Sequence, residues 1–183
     1  MSWRPTVFVM TAAFVAVFLE VSPGLFRSLL GAQIDLLPAL MVYTALTHGL
    51  ATMVLLAVCG GLWFDSLSLN PLGASVLPLL VIGLLIYRSR DLLMREHVYA
   101  QVVLGLMAGA AQPLGTLFIL LNKGATPLLG WFSLWQWLVM TAGAGAATPI
   151  CFKLFDRLRR ALEYQPVTQT SFRPDREIKR GRA

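Results

Sequence analysis

The chain is 183 residues long, 57% hydrophobic and 13% charged, with 15 Lys and Arg against 9 Asp and Glu for a formal net charge of +6. Soluble domains average about 25% charged residues, and a soluble core of this size has no room for so much apolar surface. The composition excludes an ordinary soluble enzyme and points to an all-α integral membrane protein, in which apolar helices satisfy their own backbone groups.

A spanning helix needs roughly 20 mainly apolar residues. The apolar run from Phe8 to Leu19 is followed by the turn Glu20, Val21, Ser22, Pro23, Gly24 instead of a small-residue cleavage site. It predicts a retained first helix over residues 5–21 rather than a removed signal peptide. Ala12 and Ala16 lie about one turn apart on it, a spacing that lets helices approach closely in lipid.

Residues 36–64 carry no charged side chain apart from His48 if protonated. One helix over this stretch would be roughly 43 Å long at about 1.5 Å per residue, against a hydrocarbon core of about 30 Å. Either it tilts strongly, or it divides into two short helices turning at Thr47, His48 and Gly49. Glycine beside polar residues favours the division. The second helix starts at Asp35, whose carboxylate caps the first-turn amides, with Pro38 tolerated in that turn. The same grammar predicts a fourth helix with Asn70 as cap, Pro71 at its first position and apolar residues to Tyr87. A fifth helix is predicted over 98–121 and a sixth over 131–154.

Beyond the last span the composition changes, with Arg, Asp, Glu, Gln and Pro alternating to the end. The chain divides into a transmembrane domain over 1–155 and a basic tail over 156–183, in which the stretch to Leu162 extends the sixth helix and the part beyond Pro166 is expected to be disordered.

With six spans and the N-terminus inside, cytoplasmic stretches carry Arg4, Arg88, Arg90, Arg95 and the nine Lys or Arg residues from Lys153 to Arg182. The opposite face keeps Arg27 and Lys123, as the positive-inside rule requires. A five-span arrangement with the N-terminus outside relocates only Arg4 and Arg27. Trp63 and Trp131, both placed at the outer interface by six spans, favour six. The expected architecture is a bundle of six transmembrane helices, the second and third short, with both termini cytoplasmic.

Residues able to carry chemistry are sparse. Cys59 and Cys151 sit in apolar runs and, with His48 and His97, are too few for a metal site. There is no His-Glu-x-x-His motif, no Gly-x-Ser-x-Gly elbow and no Walker sequence, so neither an enzyme nor a cofactor is expected. The predicted third to sixth helices lack the acids or bases in their central turns that ion-coupled transport needs as relays. The basic tail has no interleaved aromatics for nucleic acid. It reads as a topology determinant, with anionic lipid headgroups as the alternative contact.

The stretch from Gly60 to Gly73 places Asp65 at the C-terminal end of a helix, where the macrodipole disfavours negative charge. Asp65 therefore needs donors. The plainer source is its own loop, through the Ser66 or Ser68 hydroxyl or a backbone amide; the other is a partner.

Gly61, Leu62 and Asp65, then Pro71 and Gly73, preceded by a short double apolar segment beginning at Asp35, resemble the rod shape-determining protein MreD family. The resemblance covers residues 5–155. It implies a non-enzymatic subunit of the cell-elongation and peptidoglycan-synthesis machinery in the bacterial inner membrane. Such a subunit would bind the bitopic protein MreC and work with MreB filaments, RodA and a class B penicillin-binding protein.

Gly105 and Gly109 form a Gly-x-x-x-Gly pair, and Ala142 to Ala147 is an unbroken Ala and Gly run. These faces pack within the chain, or else receive a partner's transmembrane helix or a second copy. Gln112 precedes Pro113, which frees the carbonyl of Gly109, so the fifth helix has either an internally satisfied kink or a polar floor to a cavity. The cavity reading leads to an alternative function. The chain is also similar in size and helix number to the substrate-binding components of energy-coupling factor transporters, which would make it a small-molecule-binding subunit. Its polar candidates in the outer half are Thr116, Asn122, Gln136 and Thr141.

Overall fold

The computed structural model describes residues 3–21, 34–68, 71–90, 97–124 and 130–162. These fold as six helices: α1 Trp3–Val21, α2 Leu37–Thr47, α3 Leu50–Leu67, α4 Val76–Ser89, α5 Val98–Asn122 and α6 Trp131–Leu162. Three of them, α3, α5 and α6, are long and apolar enough to cross a membrane; α1, α2 and α4 contribute shorter apolar stretches.

The apolar stretch 36–64 does divide in two. The His48 amide closes α2 on Thr44 O, and His48 and Gly49 are both extended before α3 begins. Thr47 Oγ1 reaches both Tyr43 O, at 2.6 Å, and His48 Nδ1, at 2.7 Å. The Thr47 side chain thus adds a contact to the last turn of α2 and holds the His48 ring at the break. At the other end α2 starts at Leu37 with Leu36 at the cap position, two residues later than expected; Asp35 Oδ1, just before the cap, accepts the Leu37 amide at 2.8 Å, and Pro38 lies in the first turn.

The start of the fourth helix differs from expectation. It begins at Val76 with Ser75 at the cap position, and Pro71 belongs to a preceding turn closed by Ala74 N on Pro71 O. Gly73 has φ +87°, a left-handed conformation that a continuous right-handed helix from Pro71 would not allow. Asn70, the expected cap, lies outside the described residues. At the far end α6 runs unbroken past residue 155 to Leu162, anchored by the buried rings of Phe152 and Phe155. The remaining tail, residues 163–183, lies outside the described residues, as do Arg27, Arg95 and residues 125–129.

The short helix α2 forms the centre. Leu37 to Leu46 are all buried, and the helix packs against each of the other five. Around it α1 joins α3, α3 joins α4, α4 joins α5, and α5 pairs most extensively with α6. At the Thr47 end of α2 an aromatic cluster closes the ring: Tyr43 lies 5.0 Å from Phe152 and 4.5 Å from Phe155, and Phe155 meets Phe8 edge-on at 5.2 Å. Large apolar side chains point outward from α1 (Phe14, Phe18, Leu19), α4 (Leu77, Leu85) and α6 (Leu134, Leu138, Ile150). Such an apolar exterior suits lipid as solvent.

Candidate functional site

The residues singled out in the sequence fall into three places. The first is the α3–α4 connection. Asp65 is buried, and its Oδ2 accepts the Ser75 amide at 3.0 Å, satisfying one of the donors that the start of α4 leaves free. The hydroxyls expected as donors turn elsewhere: Ser66 Oγ bonds Trp63 O and Ser68 Oγ bonds the main-chain carbonyl of Asp65. Gly61 makes the approach of α4 possible, since a Cβ there would stand 2.8 Å from Val76 Cγ2 and 2.9 Å from Val76 Cα. Gly73 supplies the left-handed turn and Pro71 opens it. Gly61, Asp65, Pro71 and Gly73 thus act on one element, the clamp joining α3 to α4. Asp65 Oδ1 and Ser75 Oγ, both buried, have no hydrogen-bond partner among the described residues.

The second place is the α5–α6 seam. A Cβ on Gly105 would run into Thr148 Oγ1, and one on Gly109 would lie 2.5 Å from Ala144 Cβ. The Gly-x-x-x-Gly face is therefore filled by Ala144 and Thr148 of α6, with the Thr148 hydroxyl donating to Ala144 O at 2.7 Å. On α1, Ala16 is buried beside Val9, Ala13 and Val17, whereas Ala12 is only partly covered. That face meets α2 and α3. An adjoining strip of α1 borders an open groove toward α3, lined by Thr6, Val7, Met10, Thr11, Phe14 and Trp63. Phe14 and Trp63 meet there edge-on at 5.4 Å, and the Thr6 and Thr52 hydroxyls pair at 3.1 Å.

The third place is built around Gln112. Its Nε2 donates to Asp35 Oδ2 at 2.8 Å, tying the middle of α5 to the start of α2, and its Oε1 is buried without a partner. Pro113 next to it lacks the amide that would have bonded Gly109 O. One residue along from that carbonyl, Ala110 O accepts the Trp137 indole at 3.1 Å. The proline is therefore accompanied by a cross-helix bond to α6.

Glu20, at the end of α1, belongs to the same place and escaped the sequence reading, which treated it as part of a turn. It lies within electrostatic reach of Asp35, and both its carboxylate oxygens are buried without a hydrogen-bond partner. The Leu36 amide faces it without meeting hydrogen-bond geometry. The available signal was that Glu20 and Asp35 each abut an apolar run with no base within a helical turn.

Three of the four outer-half polar residues named for a ligand cavity bond their own helices. Thr116 Oγ1 donates to Gln112 O, Asn122 Nδ2 to Phe118 O and Thr141 Oγ1 to Trp137 O. Comparison of the chain with protein-family models, curated proteins and solved structures finds no match.

Proposed function

We propose that this chain is a non-enzymatic membrane scaffold of the MreD type, with six spans and both termini cytoplasmic in the bacterial inner membrane. In this reading it binds an MreC-like bitopic protein within the membrane. It thereby links MreB filaments inside to RodA and a class B penicillin-binding protein that build the wall outside. The observation that carries the reading is the α3–α4 clamp: the motif residues Gly61, Asp65, Pro71 and Gly73 converge where the end of α3 holds the start of α4. Rigid presentation of helices is what a scaffold requires. The small-residue seam of Gly105 and Gly109 is already filled from within. The groove between α1 and α3, with Phe14 exposed, is therefore the face offered to a partner's helix.

The small-molecule-binding alternative draws less support, because Thr116, Asn122 and Thr141 spend their donors on carbonyls one turn back in their own helices.

The test has two parts. Depletion in a rod-shaped host should round the cells, and single cysteines at Thr11 and Phe14 should form disulfides with cysteines in the membrane span of an MreC-like protein. Normal shape on depletion together with no co-purifying bitopic partner would sink the proposal.

A further inference from the structure

We propose that Glu20, Asp35 and Gln112 form an enclosed cation site between α1, α2 and α5, which takes up one small positive charge, a proton or a sodium-sized ion, bound to oxygen. The proposal does not depend on the scaffold reading. It rests on an imbalance of donors and acceptors. Two carboxylates and one amide bring five oxygens to this place; of the donors facing them, the Leu37 amide and Gln112 Nε2 are spent on Asp35, and the Leu36 amide faces Glu20 without completing a hydrogen bond. Both oxygens of Glu20 and the Oε1 of Gln112 remain buried with no completed hydrogen bond among the described residues. Gln112 is 2% exposed and Asp35 1%, and Glu20, partly buried as a residue, has both carboxylate oxygens buried, so bulk water does not make up the deficit.

A buried carboxylate is costly unless it is paired or neutralised. Among the described residues no base pairs with these two acids. The elements packed around them offer none either. α4 carries no titratable side chain before Tyr87, α6 none before Cys151 and α5 only Tyr99 at its start; α2 itself brings Tyr43, and α3 brings Cys59 and Asp65, whose Oδ2 is engaged by the Ser75 amide. Oxygen donors in this number suit a hard cation. A proton placed on Glu20 would instead turn one acceptor into a donor toward Asp35 or the amide.

The experiment is thermal unfolding of the full chain in detergent, comparing sodium chloride with choline chloride at equal ionic strength, from pH 6 to pH 9. If sodium is the source, it raises the midpoint by about 4 °C at fixed pH when present at roughly tenfold its dissociation constant. If a proton is the source, the midpoint rises as pH falls and ignores sodium, because the folded chain then binds more protons than the unfolded one. In either case E20Q loses the dependence. Should E20Q fail to fold, modification of Glu20 in the wild-type chain by a hydrophobic carbodiimide replaces it, with sodium or alkaline pH expected to slow the reaction. A wild-type midpoint indifferent to both sodium and pH, an E20Q variant that keeps the wild-type dependence, or carbodiimide modification of Glu20 that neither condition slows would overturn the proposal.

Discussion

The carboxylate of Asp65 and the amide of Ser75 lie 3.0 Å apart, so the last turn of α3 caps the first turn of α4 across ten positions of sequence. An acid at a helix C-terminus is unfavourable on its own helix and favourable at the N-terminus of the next, and here the second effect offsets the first. Asp65→Ala removes the acceptor and is expected to cost about 1–2 kcal/mol. Asp65→Asn, which keeps an acceptor oxygen, should cost less. Denaturant unfolding in detergent measures both, and equal losses would show that charge, not the hydrogen bond, holds the clamp.

Gly73 sits at φ +87° with open space around the position of a Cβ, so Gly73→Ala tests backbone conformation without a clash. The expected loss is about 1 kcal/mol. Gly49 also has open space but an ordinary extended backbone, and Gly49→Ala in the same assay should be close to neutral.

Gly109→Leu forces α5 away from Ala144 and should destabilise the chain by about 3 kcal/mol or more, with Gly105→Leu similar against Thr148. Met107, on the same helix but 64% exposed, tolerates Leu with little change. Loss of the folded detergent-solubilised species in size-exclusion chromatography would register the difference.

Gln112→Leu leaves Asp35 Oδ2 without its donor and should cost about 1–3 kcal/mol. Combined with Asp35→Asn the losses should fail to add, with a coupling of about 1 kcal/mol or more in a double-mutant cycle. Simple additivity would mean that the contact contributes nothing.

The fold was legible where apolar length decides it. The first, fifth and sixth helices, and the break at Thr47, His48 and Gly49, follow from run lengths and a glycine beside polar residues. The start of the fourth helix was misread because Pro71 carries the same local signal in a helix's first turn and in a free turn. Only the α3 carboxylate reaching Ser75, and the left-handed Gly73, separate the two cases. The polar cluster was illegible for a different reason. Glu20, Asp35 and Gln112 come from three separate helices, and no pattern of spacing records that Gln112 meets an acid 77 positions earlier.

That separation, together with the central place of α2, sets an order on assembly. Four of the five helices that enclose α2 follow it in the chain. At roughly 5–20 residues per second, the ribosome needs about 4 to 15 s to make the stretch between Asp35 and Gln112. When α2 itself is complete, α1 alone among its neighbours is already synthesised; α3 and α4 follow within that interval, and α5 and α6 come last. Its shortness then acts as a delay: α2 has little hold on the bilayer by itself and settles when α5 delivers the amide that anchors its first turn.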